Sequence, residues 1–101
     1  DRERMSARPV SITLLTESDC RLCDHAKEVL GRVAEEYSLL VDEVPLASDH
    51  GRELATRAGV MFAPGVLVDG APFSFGRLSE RKLRKTLAAR DHHHRGTTRS
   101  G

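Results

Sequence analysis

The chain has 101 residues, 31% of them charged and 39% hydrophobic, and a net charge of +1; this suits one globular domain with a modest core. No apolar run approaches the ~20 residues of a membrane span, and the opening DRERMSARP lacks the apolar stretch of a secretory signal, so no membrane association is expected and a cytoplasmic location is. The net charge conceals a split: residues 17–53 hold ten acidic and four basic side chains, residues 54–101 nine basic and three acidic, a pattern of oppositely charged solvated faces and not the uniform basic face of a nucleic-acid binder.

Residues 1–9 read as a flexible arm, 10–90 as the domain and 91–101 as a disordered His/Gly/Arg tail. In Val10–Leu15 (VSITLL), apolar residues alternate with Ser11 and Thr13, the period of a strand. Leu15 breaks the alternation, which predicts a strand end buried on both faces. Over Arg21–Tyr37, Cys23, Ala26, Val29, Leu30, Val33, Ala34 and Tyr37 recur three and four apart and form one helical stripe. Leu39–Val44 reads as a second strand. A short helix capped by Ser48 or Asp49 follows through Ala58, with Gly59 as its stop.

Val66–Val68, the Asp69-Gly70 turn and Ala71–Phe75 read as a hairpin. Pro72 has no N–H for a ladder, which puts the last strand at an edge. Ser79 caps a final helix over Glu80–Arg90, with Leu83 and Leu87 inward and Glu80/Arg84 as an exposed pair. Phe62, Phe73 and Phe75 are expected in the core or on a sheet face. The order βαβαββα predicts an α/β domain: a four-stranded mixed sheet with helices on both faces and the first strand in the middle.

Cys20 and Cys23 are the only cysteines. As residues alone they are a redox couple, half of a metal site, or two small core residues. Their position favours the first. Cys20 stands where a strand has ended and a helix begins, and free backbone N–H groups with the positive end of the helix dipole favour a thiolate there. Cys23 lies close to one helical turn further on, within reach for a disulfide, so one cysteine attacks a substrate disulfide and the other resolves the product. Arg21 favours the thiolate, Glu17, Asp19 and Asp24 oppose it, and His25 favours it when protonated. Zinc normally takes four ligands; His92–His94 in the tail form a separate candidate for metal binding.

The strand ITLLT, the CRLC that opens an amphipathic helix, FAPGVLVDG about forty residues later and FGRLSERKLRKTL together resemble the thioredoxin/glutaredoxin superfamily, and within it the small bacterial glutaredoxin-like proteins. The similarity covers roughly residues 10–89. It implies a thioredoxin-like fold, a cis Ala63–Pro64 bond and a substrate chain that pairs with the backbone of Ala63. It also implies a thiol–disulfide oxidoreductase in which Cys20 attacks and Cys23 resolves, modulated by Arg21, Asp24 and His25. Gly65 reads as room for a substrate to approach or as plain turn chemistry.

The chain departs from the family pattern at the places that hold glutathione. Glu17 stands three residues before Cys20, where dithiol glutaredoxins carry a lysine for the glutathione carboxylate. Gly76-Arg77 replaces the Gly-Gly and acidic pair that holds the other end. No cofactor and no resident metal are expected, and glutathione is a co-substrate that the resemblance implies and Glu17 opposes. The expected partners are protein or low-molecular-weight disulfides and a reductase or glutathione as electron donor, with no nucleic acid; the chain is expected to act as a monomer. The alternative reading is a non-catalytic adaptor, or a metal or iron–sulfur carrier, that uses the same cysteines.

Overall fold

A computed structural model describes residues 9–100, with side chains through Arg90. It contains β1 (Val10–Thr16), α1 (Arg21–Val33), β2 (Leu39–Pro45), α2 (Asp49–Ala58), β3 (Gly65–Val68), β4 (Ala71–Phe75) and α3 (Glu80–Ser100). The strands form one sheet in the order β2-β1-β3-β4. β1 runs parallel to β2 and antiparallel to β3, and β3 runs antiparallel to β4. This is the expected four-stranded mixed sheet, with the first strand inside and the Pro72 strand at an edge.

Side-chain alternation along β1 divides the interior in two. Ile12 and Leu14 point to one face, where Ala26, Val29, Leu30 and Val33 of α1 meet Leu78, Leu83 and Leu87 at α3. Leu15 points to the other face and packs with Val44, Leu67 and Ala55 of α2. The break in the VSITLL alternation is therefore a strand end covered from both sides. All four residues of β3 are buried because both layers cover it.

Three boundaries differ from the sequence pattern. α1 ends at Val33, and its stripe reaches Tyr37 through a tightened last turn with Glu35 N–H to Arg32 C=O and Glu36 N–H to Val33 C=O, as helix ends often do. β4 carries a bulge, with Val66 opposite Ser74 but Leu67 opposite Pro72, which turns Phe73 toward the larger core. α3 runs on to Ser100 where the pattern ends it at Arg90 and places a disordered tail over 91–101; the segment holds no glycine or proline before Gly96 to stop a helix. The arm over residues 1–8, and the side chains of His92–His94 as candidate metal ligands, lie outside what is described.

Ion pairs tie α1 to α3. Arg32 donates to Glu80 at 2.9 Å and 3.1 Å, and Arg84 joins Glu80 to Glu36 at 2.9 Å each. The Arg32 guanidinium first, then that of Arg84, holds the Glu80 carboxyl below its ordinary range. Asp69 takes part in the hairpin turn and in a pair with Arg90, and its carboxylate accepts from the Ser11 N–H at 2.9 Å. Among the described residues, no helix is long and apolar enough to cross a membrane.

Gly31 lies inside α1 on its exposed side, and a Cβ added there meets nothing within 4 Å. Alanine in an open helical position restricts the unfolded chain without a clash. Gly31→Ala is expected to raise stability by about 0.5–1 kcal/mol, read as a higher urea midpoint at unchanged slope. A lower midpoint would contradict the open geometry.

Candidate active site

The row Leu15–Gly65–Phe75 crosses three strands at one end of the sheet. Everything of chemical interest follows from that row. Two residues beyond Leu15 the chain leaves β1 through Glu17–Asp19 and enters α1 at Cys20. Just before Gly65 stands Pro64, and just after Phe75 come Gly76 and Arg77. Asp19 takes φ 52°, a left-handed conformation that aspartate tolerates in turns, and this turns the chain into the helix.

Cys20 is the N-cap of α1. Its Sγ accepts the N–H of Cys23 at 3.1 Å, so one of the otherwise free donors of the first turn points at the sulfur. The two cysteines form a disulfide with their Cα atoms 5.2 Å apart, inside the usual range for such a bond. Cys23 is 2% exposed, while Cys20 is half-buried. Only Cys20 is therefore open to attack by or on a partner.

The Ala63–Pro64 bond is cis, as the resemblance implies. Ala63 and Pro64 are both buried, and the Pro64 carbonyl accepts the N–H of Gly76 at 2.8 Å. The N–H and C=O of Ala63 take no hydrogen bond among the described residues. A peptide unit free on both sides, beside the end of β1, is a place where an extended chain can pair.

The candidate modulators lie in two places. Arg21 and Asp24 are exposed in the first turn of α1 and form no ion pair among the described residues. His25 turns inward and helps to line a cleft of about 380 Å³ with Val29, Arg77, Ser79, Glu80 and Arg81. Its Nδ1 is buried without a hydrogen-bond partner among the described residues. Among those residues no group of three or more His, Cys, Asp or Glu side chains is placed to hold a metal ion.

The structure sharpens two readings of the sequence. Gly65 is buried in β3, and a Cβ on it would lie 2.7 Å from Val60 Cγ1. Its small size is required by the packing of Val60 and Leu15. Phe62, Phe73 and Phe75 are expected in the core or on a sheet face; Phe73 packs against the core and Phe75 lies on β4 at 40% exposure, but Phe62 lies outside both, in the loop before Ala63, at 52% exposure. The rings of Phe62 and Phe75 pack edge-to-face at 5.0 Å, a favourable aromatic geometry. Leu22, between the two cysteines, and Met61, next to Phe62, are also open to solvent at 40% and 78%, so this end of the sheet carries an exposed apolar rim. Aromatic composition alone points inward; the signal that locates Phe62 is its place one residue before Ala63-Pro64.

No family model matches the chain. A curated protein of Archaeoglobus fulgidus described as a probable thioredoxin is 27% identical over 78 residues, covering 77% of this chain and 86% of that protein. Among solved structures, a mutant thioredoxin from Halobacterium salinarum NRC-1 superposes with a TM-score of 0.62 at 21% identity, covering 86% of this chain and 79% of its own.

Proposed function

We propose that this chain, a member of the thioredoxin/glutaredoxin superfamily, is a thiol–disulfide oxidoreductase of the glutaredoxin-like kind, with the Cys20–Cys23 pair as its redox couple. The observation that carries the proposal is the asymmetry of the pair: a half-exposed Cys20 at the helix cap, joined to a Cys23 that is 2% exposed. The short βαβαββα order, with the first strand leading straight into CRLC, supports the glutaredoxin-like form. The description of the Archaeoglobus fulgidus relative as a probable thioredoxin supports the exchange chemistry.

In the reduced protein the Cys23 N–H and the helix terminus favour the Cys20 thiolate. That thiolate attacks one sulfur of a substrate disulfide. A Cys20–substrate bond forms, the substrate S–S bond breaks, and the departing thiolate takes a proton. Cys23 then gives up its proton and attacks Cys20 Sγ, which closes the Cys20–Cys23 disulfide and releases the second substrate thiolate. That thiolate takes up the second proton. Two electrons have passed from the cysteine pair to the substrate, whose two protons come from the Cys23 thiol and from solvent, and an external thiol or reductase returns the electrons.

Ala63 presents its free peptide group to the substrate chain, and Pro64 holds that unit beside Cys20. Arg21, Asp24 and His25 adjust the local charge. No bound cofactor takes part in either step. Glu17 disfavours glutathione as electron donor, since a carboxylate there repels the glutathione carboxylate.

The test is reduction of the insulin interchain disulfides with dithiothreitol as the electron source. Wild-type protein is expected to shorten the lag before insulin precipitation in proportion to its concentration. A lag equal to that of dithiothreitol alone would reject the exchange reading. Iron or zinc in the purified protein, lost on Cys20→Ser, would instead favour the carrier reading.

A further inference from the structure

The charges around the disulfide are sorted by side. At this end of the sheet the exits run in the order β1, β3, β4. Glu17 and Asp19 follow β1, the Ala63–Pro64 loop precedes β3, and Arg77 follows β4. Acidic and basic flanks are thus two strands apart, roughly 10 Å at ordinary strand spacing, or about three extended residues. Between them lie the free peptide of Ala63 and the Phe62–Phe75 pair.

These flanking charges are unspent. Arg32, Arg52, Arg57, Arg84, Arg90 and Lys27 are all engaged in ion pairs. Arg77, Arg81, Glu17 and Asp19 are exposed and form none among the described residues. Glu80 also borders the basic cleft, but its carboxylate already accepts from Arg32 and Arg84 and does not cancel Arg77 and Arg81. Arg21 and Asp24, one of each sign in the first turn of α1, form no ion pair among the described residues and add no net charge to either flank. His25 brings a polar atom without a partner to the same cleft.

We propose that this end of the molecule selects polypeptide disulfides by charge order: a basic residue on the Glu17–Asp19 side of the reacting cysteine, an acidic residue on the Arg77–Arg81 side, and an apolar contact between them on Phe62 and Phe75. The proposal rests on the exchange reading above and adds its substrate class. A polypeptide is favoured over a small disulfide because the exposed apolar rim and the free Ala63 peptide match side chains and a backbone. The flanking charges set specificity and encounter more than bulk affinity.

The experiment uses three peptide disulfides with one apolar sequence around the cysteine. The first has lysine two positions before it and aspartate two positions after; the second reverses them; the third has serine at both. One charged order is expected to outrun the other in kcat/KM by roughly fivefold to tenfold at low salt, with the serine peptide between them. The ratio should fall toward one in about 0.5 M salt. The double variant Glu17→Lys/Arg77→Glu is expected to invert the ratio, and each single variant, Glu17→Gln and Arg77→Gln, to shrink it. The readout is a ratio within one protein, so a partial loss of activity in a variant does not obscure it. Equal rates for the three peptides in wild type, a ratio untouched by the variants, or faster turnover of glutathione disulfide than of all three would overturn the proposal. Insulin reduction in the same preparation separates the two readings: activity on insulin with equal peptide rates rejects only the charge order, and none on insulin or any peptide rejects the exchange chemistry itself.

Discussion

Replacing Cys20 by serine is expected to lower disulfide turnover by on the order of 10³-fold or more, as removal of an essential nucleophile does. Cys23→Ser should differ in kind. Its Cys20 can still attack, but nothing inside the protein resolves the product, so a covalent mixed disulfide with substrate accumulates and appears as an adduct in non-reducing mass spectra. The asymmetry follows from exposure. Cys23 lies under the first turn of α1, 2% exposed, and meets Cys20 but no incoming sulfur. If instead Cys20→Ser protein collected the adduct through Cys23, the two roles would be reversed and the helix-cap argument would be wrong. The hydroxyl of serine at position 20 still accepts the N–H of residue 23 as a cap, so the fold should persist and the loss of activity is chemical.

Gly51→Ala is expected to cost about 3 kcal/mol, or roughly 15 °C in Tm for a domain of this size. Gly51 is in the first turn of α2, where alanine is ordinarily the better helix former. Here a Cβ would lie 2.0 Å from the carbonyl oxygen of Pro45 and 3.0 Å from Leu46 Cα. Both obstacles are backbone, so no side chain can move aside. Ser48 already ties this corner together: its Oγ donates to Pro45 C=O at 2.7 Å and accepts the Gly51 N–H at 2.9 Å. Relief requires α2 to lift from the end of β2, which uncovers Leu15, Val44 and Leu67. Urea unfolding gives the measurement. A loss below about 1 kcal/mol would mean that the corner opens without disturbing that smaller core. The contrast with Gly31→Ala is a control, since the same substitution in α1 meets empty space.

How much is legible without coordinates depends on the kind of signal. The helix over Arg21–Val33 and the hairpin at Asp69-Gly70 are readable because period and turn chemistry are local. The strand VSITLL is readable too, and its one irregular residue, Leu15, announces the second layer. Pro72 announces its edge. The candidate site is legible at Cys20, Cys23 and Ala63-Pro64, since those residues carry the motif. It is not legible at Phe62. In a composition with three phenylalanines and no tryptophan, aromatic residues are needed for a core, and nothing local says that this one stays outside. The grouping of Arg77 and Arg81 with His25 is equally hidden, because it joins a loop to a helix about fifty residues away.

Local sequence suffices for the order of elements, the place of Cys20 where β1 has ended and α1 begins, and the identity of the thiol pair, because each depends on neighbours within a turn or two. Which cysteine is reachable, and why Gly51 and Gly65 are glycine, emerge only once the layers are packed. The same holds for the placing of the acidic and basic flanks two strands apart at one end of the sheet. Burial and charge order are properties of which strands lie side by side, and the crossovers β2-β1-β3-β4 bring together residues that the chain itself keeps far apart.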